Sequence, residues 1–573
     1  MRLMGRIGIA LVLLVVVTGL CELRSPSGPT VDDGSTLVVR LGGSYLESGE
    51  APLVSRLLGE DRPTFAGLLS VLSLAERDDR VETVVLRIRG LGIGWGKAQE
   101  LRDAVGRLRA AGRHTVAYLD IANLTAHREY FVASAADEVV IVPGGFAPLV
   151  GLSASYTYLG GLFEKVGVSF VVGKAGRYKS AVESIAGTEM SEASREMANS
   201  LLDSTQRQFI EGIAEGRGLT VDDVLGRIDR GPVSAQELSA LGLVDRIAPL
   251  DEVLADLGGE VVYAADYAGV DPAAVGFDPQ ATYALLYGSG NVVEGERDQD
   301  SLGDRVFAAG AFADALELAA ESDDVAAIIV RIDSPGGSAL ASERMWSAVR
   351  EAREKSGKPV IASFSDVAAS GGYYVAVAAD EIVASGMSIT GSIGVFALVP
   401  ILEGLQRELG VNAEFLGRGR YADFGSTSRA WSQGARAKLD QMVLNIYAMF
   451  LERVATGRKM ELGEVDAVAQ GRVWTGAQAH ARGLVDHLGG LHEAVERANV
   501  ALGLAPDADV VLQAFPPPRT LPEQMAALFE ARVARVVRSR VERWAGLGAL
   551  VDAALALPEG APLLIPPATV EIH

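Results

Sequence analysis

Apolar, β-branched runs and amphipathic stretches alternate along nearly the whole chain. TLVVRL, VVLRI, ATYALLY and AAIIVRI have the length and composition of buried strands. AQELRDAVGRLRAAG and SERMWSAVREAREKSG repeat their apolar positions at helical spacing and each close on a glycine. Strands alternating with helices predict parallel βαβ units with right-handed crossovers, hence an α/β fold. Further helical patterns occupy residues 191–218 and 432–458.

The alternation is written twice. ASAADEVV, ending at Val140, is answered by AVAADEIV, ending at Val383, which puts Asp137 and Asp380 at an offset of 380 − 137 = 243. GLFEKVGV (161–168) meets GLQRELGV (404–411) at the same offset, and GRYKS (176–180) meets GRYAD (419–423). GLVDRIAPLDEV (242–253) faces GLVDHLGGLHEA (483–494). A domain-sized unit is therefore present twice, which is different from a solenoid of short repeats. The organisation expected is an export or anchor segment over 1–23, a linker over 24–36 and a first repeat over 37–256. A connector rich in glycine and proline follows over 257–280, then a second repeat over 281–505 and an extension over 506–573.

Composition narrows the class. The chain has 573 residues, 49% hydrophobic and 22% charged, which is globular rather than disordered. Acidic residues outnumber basic ones 74 to 52, and a net charge of −22 argues against a general nucleic-acid binder. Cys21 is the one cysteine, so neither an intramolecular disulfide nor a cysteine-based zinc site can form. The six histidines are scattered, and nothing points to a metal or another cofactor. MRLMGR followed by IGIALVLLVVVTGL (7–20) gives the positive flank and short apolar core of an export signal or signal anchor. Cys21 follows Leu20 rather than a small residue, which weakens a lipoprotein reading. Beyond FPPPR (515–519), apolar positions from Leu521 to Trp544 run beside Arg532, Arg535, Arg538 and Arg543. That pattern predicts a basic amphipathic helix, to pack on the protein itself or to lie on an anionic membrane.

Candidate chemistry enters where the two units disagree. RIDSPGGSALASE (331–343) places a Pro-Gly-Gly turn between a strand and a helix, where the first unit reads RIRGLGIGWGKAQE. ASGGYYVAVAADE (369–381) puts Ser370 and two glycines before a helical run, where the first unit has His127, Arg128 and Glu129. Conversely, Lys179 of GRYKS is answered by Ala422. One unit keeps the serine and the other the lysine, as two halves sharing one active site would. A serine hydroxyl is a weak nucleophile until a base takes its proton, and a neutral lysine amine can serve. Burial supplies the neutrality by lowering the ordinary pKa of about 10.4, and Val182 and Ile185 suit an apolar surround. Gly371 with Gly336 or Gly337 would let two backbone N–H groups form an oxyanion hole. The rival arrangement is a Ser-His-Asp triad drawing on His127, His480, His487 or His492.

RIDSPGG, ASGGYYVAVAADEIVAS, TGSIGVF (390–396) and GRYKSAVES together resemble the motifs of the S49 serine peptidases, in their long, duplicated signal peptide peptidase A form. The resemblance covers about residues 36–500. It implies two tandem crotonase-like (Clp protease-like) α/β domains behind an N-terminal anchor helix. It also implies a Ser-Lys dyad with Ser370 as nucleophile and Lys179 as general base, and no cofactor. Ser392 of TGSIG would orient the lysine; the first unit has Leu149 there. Ser184 ends GRYKSAVES where the family pattern has proline. The implied activity is endopeptidase cleavage of remnant signal peptides after their release from exported proteins. The implied setting is a homotetramer held in the bacterial inner membrane by a single N-terminal anchor, its catalytic domains facing the periplasm. A substrate drawn from membrane spans predicts apolar pockets and an extended peptide along a strand edge. Two other classes stay open at this point: a crotonase-fold enzyme acting on acyl-CoA thioesters, and a catalytically decayed scaffold of a membrane complex.

Overall fold

The computed structural model describes residues 30–47, 64–299, 305–517 and 563–564. The apolar run 7–20, Cys21 and the basic amphipathic stretch 521–544 lie outside the described residues. Among the described residues, no helix is long and apolar enough to cross a membrane.

The duplication seen in sequence is a duplication of sheet topology. In the first half the strands lie in the order Arg246–Ile247, Glu138–Ile141, His114–Leu119, Val81–Leu91, Ser35–Gly43, Val261–Tyr263, all parallel. In the second half the same parallel order recurs as His487–Leu488, Glu381–Ala384, Val360–Ala369, Val325–Ser334, Ala281–Ser289, Val510–Phe515, and Ile389–Gly391 branches from Val360–Ala369 to pair antiparallel with Val473–Thr475. Parallel sheets of this kind carry helices on both faces, so their central strands are apolar on both sides. Val84, Leu86 and Ile88 in one half, and Ile328, Val330 and Ile332 in the other, are buried accordingly. The expected fold class, two tandem α/β units with parallel sheets, is what the chain adopts.

The outer strands modify the expected boundaries. Val261–Tyr263 was read as connector and Val510–Phe515 as extension, yet each completes the sheet of the half before it by pairing with that half's first strand. Both segments are short or interrupted by polar residues, so neither stands out as a buried strand by pattern alone.

A third sheet joins the halves. Ser169–Ala175, just before GRYKS, pairs antiparallel with Val395–Ile401, just after TGSIG, from Val395 opposite Ala175 to Ile401 opposite Ser169. The same sheet continues through Leu563–Leu564 to Gly337–Ser338, Asn291–Val293 and Val306–Ala308. A one-residue slip of this ladder would turn every side chain to the opposite face, so its register is set by the buried face.

Candidate active site

The strand Val360–Ala369 runs directly into Ser370, which opens the helix Gly371–Ala376. Ser370 sits at φ 54° and ψ −113°, a conformation L-residues seldom adopt. Such strain costs about 1–3 kcal/mol and persists only where the surroundings enforce it. Here the Ser370 N–H donates to the Gly391 carbonyl at 2.8 Å, and its own carbonyl accepts from the Tyr374 N–H at 2.8 Å. The sharp turn leaves the hydroxyl at the end of the strand, inside a fully buried site.

Lys179 reaches that hydroxyl from the other half. The antiparallel ladder places GRYKS beside TGSIG, and the second half then grips the turn. The Tyr178 N–H donates to the Gln470 carbonyl at 2.7 Å, and a methyl at Gly471 would come within 2.5 Å of the Lys179 nitrogen. Lys179 Nζ lies 2.8 Å from Ser370 Oγ, 2.9 Å from the Ser392 carbonyl oxygen and 2.9 Å from Ser392 Oγ. Ser392 is itself held at φ 53°, its N–H donating to the Arg472 carbonyl at 2.7 Å.

The surroundings of this cluster disfavour charge on the amine. Lys179 is fully buried, and desolvation alone holds its pKa well below the ordinary lysine value. Among the described residues no carboxylate pairs with it; its polar partners there are two hydroxyls and a carbonyl. A neutral amine has two N–H donors and one lone pair. Ser392 offers it two acceptors, and the Ser370 hydroxyl, which can accept or donate, faces its third position.

The three glycines of the expected oxyanion hole are brought together, with one adjustment. A methyl at Gly371 would lie 3.0 Å from the Gly337 nitrogen and 3.1 Å from the Gly336 Cα, so the glycine loop abuts the start of the serine's helix. The Gly336 N–H, however, donates to Ser334 Oγ at 3.2 Å. Its amide is thereby turned into the loop, which leaves Gly337 and Gly371 as the backbone pair beside the nucleophile.

The corresponding place in the first half is filled by side chains. Glu129 accepts from the Leu91 N–H at 2.7 Å, and Arg128 donates to the Ile93 carbonyl at 2.6 Å, so the first half's glycine loop is capped by its own helix. His127 is buried, accepts from the Val150 N–H at 3.3 Å, and is driven down to about 4 by burial and then by Arg128. The remaining triad candidates bind elsewhere: His480 meets the Val485 carbonyl, His487 meets Glu381 and His492 meets Glu496. Among the described residues no histidine hydrogen-bonds Ser370. Sequence reasoning missed Gln470 and Gly471, whose role exists only because the two halves meet there.

A small, mainly apolar pocket opens beside the lysine turn, lined by Tyr156, Tyr158, Ser180, Met190, Met197 and Leu201 among others.

A duplicated α/β fold in which a buried lysine amine meets a strained serine hydroxyl beside backbone amides has the equipment of a serine hydrolase. The family model for peptidase family S49 matches the chain twice, over residues 108–261 and 352–505. The chain belongs to peptidase family S49 and is a serine peptidase of that family. It is 34% identical over 443 residues to "Serine protease SPPA, chloroplastic" from Arabidopsis thaliana, covering 75% of this chain and 65% of that one. It is 29% identical over 537 residues to "Protease 4" of Haemophilus influenzae, covering 87% of this chain and 84% of that one. Among solved structures, ClpP1 from Listeria monocytogenes aligns with 36% of this chain and 89% of its own, at 12% identity and a TM-score of 0.22.

Proposed function

We propose that this serine peptidase is an endopeptidase working through a Ser-Lys dyad split between its halves, with remnant signal peptides as its substrates. Ser370 Oγ attacks the scissile carbonyl carbon as Lys179 Nζ takes the hydroxyl proton. The oxyanion formed is held by the Gly337 and Gly371 N–H groups. The lysine ammonium then gives its proton to the departing amine nitrogen, leaving an acyl-serine. Water, deprotonated by the same amine, attacks the acyl carbon and releases the acid and the free serine. Ser392 keeps both amine N–H bonds occupied, which aims the lone pair at Ser370.

The observation that carries this reading is the 2.8 Å contact between Lys179 Nζ and Ser370 Oγ in a fully buried site. Support for an extended peptide comes from the third sheet. There Leu563–Leu564 runs antiparallel to Gly337–Ser338 and bridges to Phe396 on the opposite side. A substrate backbone in that slot would lie beside the glycine loop by strand addition. The pocket of Tyr156, Tyr158, Met197 and Leu201 suits an apolar side chain. Apolar peptides of this kind are what membrane-derived signal sequences supply. Placement in the bacterial inner membrane through residues 1–23, with the catalytic halves facing the periplasm, and assembly as a homotetramer belong to the same proposal.

The test is hydrolysis of a fluorogenic apolar peptide by wild type, Ser370→Ala, Lys179→Ala and His127→Ala. The first two are expected to lose about 10³-fold or more in kcat, and the third to retain activity. Full turnover in Lys179→Ala would overturn the dyad. Released signal peptides should be cleaved and the same sequence within an intact precursor should not.

A further inference from the structure

The halves bury a cluster of charge between them that the chemistry above does not use. Lys97, in the first turn of the helix Trp95–Ala110, is 4% exposed. Its ammonium lies 2.8 Å from Glu47, 2.7 Å from Asp333 and 2.8 Å from Asp366. Glu47 belongs to the lysine-bearing half, whereas both aspartates belong to the serine-bearing half.

Their positions in the chain give the cluster its meaning. Asp333 stands immediately before the Ser334-Pro335-Gly336-Gly337 loop that meets Gly371. Asp366 lies in the strand Val360–Ala369 that delivers Ser370. Asp333 also accepts from the Val367 N–H at 3.1 Å, and Asp366 accepts from the Gly94 and Lys97 N–H groups, each at 2.9 Å. The start of the first half's helix therefore grips the nucleophile strand through backbone and side chain together.

The repeat shows that this contact is particular to the shared site. The first half has Arg89 at the place of Asp333, and counting back from Glu100 and Glu343, the second half has Leu340 at the place of Lys97. The acid pair exists in one half and its cation in the other, the same division as between Ser370 and Lys179.

We propose that Lys97 is a positioning residue for the peptidase reaction. By tying Asp333 to Asp366 it sets the spacing between the glycine loop and the strand carrying Ser370, so the oxyanion amides and the nucleophile come into register only when the two halves are docked. Without the ammonium, Asp333 and Asp366 would face each other across the cluster with only backbone N–H partners, beside a Glu47 still paired with Arg331. The loop that begins at Asp333 is held on its far side by the Gly290 and Val292 backbone, so the Lys97 bridge sets its distance from the serine strand. Arg331, fixed by Glu100, Ser363 and the Phe364 carbonyl, holds the lower strand in place.

This inference rests on the dyad reading, so Ser370→Ala is measured alongside; turnover surviving in that variant would fault the dyad and not Lys97. In Lys97→Met, kcat on a fluorogenic apolar peptide is expected to fall about tenfold or more while KM stays within about twofold, since the loop acts on the transition state. A peptide aldehyde, whose hemiacetal oxygen takes the oxyanion position, should weaken in step with kcat. Wild-type kcat in a folded Lys97→Met, or a loss carried entirely by KM, would overturn the proposal. Where Lys97→Met does not fold, Asp366→Asn breaks one arm of the bridge with the lysine retained. The same fall in kcat at constant KM is expected there, and wild-type kcat would equally overturn it.

Discussion

At the scale of single residues, the site depends on a lysine kept from its ordinary charge. Because burial holds the Lys179 pKa well below 10.5, only the unfolded chain carries its proton between the lowered value and 10.5. Folding stability must therefore rise with pH across that window. Comparing thermal midpoints of wild type and Lys179→Met from neutral pH to about pH 10 should show this gain in the wild type alone; parallel curves would mean the amine is charged. Turnover should rise with pH through the same lowered pKa, because the amine is the base. The His127 pKa is shifted the same way, from 6.5 to about 4 in the folded state, but its window lies in the acid range. The unfolded chain takes its proton first as pH drops, so stability is lost between 6.5 and about 4. His127→Leu should keep peptide turnover and melt less steeply with acid, read by calorimetry across that range.

At the scale of elements, the dyad is assembled by a ladder and a turn. The pairing of Ser169–Ala175 with Val395–Ile401 fixes where GRYKS and TGSIG meet, and the Gln470–Gly471 turn then presses the lysine inward. Gly471 has φ +73°, and a methyl there would collide with the Lys179 backbone. Gly471→Ala should consequently cut kcat by about tenfold or more, although it lies outside the reacting atoms. A normal melting point with wild-type kcat would show that the turn does not set the lysine. Pattern reading found most of these elements, because strands and helices announce themselves by period. It put Val261–Tyr263 and Val510–Phe515 outside their domains, because an edge strand of a few residues has no period to detect.

At the scale of the whole molecule, two similar halves are made unequal by what each retains. The serine half carries the strained Ser370, the glycine loop and the acid pair Asp333 and Asp366; the lysine half carries Lys179 and Lys97. The first half's old loop is closed by Arg128 and Glu129, which explains how one working site results from two copies. The third sheet also carries Leu563–Leu564 in the slot beside Gly337–Ser338. An intramolecular strand there competes with substrate by effective concentration. A chain ending at Pro517 should show a lower KM with kcat within about twofold; an unchanged KM would mean the strand does not exclude peptide.

The sequence by itself determined the α/β class and the duplication, and it singled out Ser370 and Lys179 as candidates, because periodicity and mismatched repeats are written in residue order. Ser392 came from motif resemblance. Only the tertiary structure decided that Lys179 meets Ser370, that the Gly336 amide turns into its own loop, that Gln470 and Gly471 abut the lysine turn, and that Lys97 bridges Asp333 and Asp366 across the halves. These contacts join residues hundreds of positions apart. Their chemistry comes from burial and register, which no local pattern encodes.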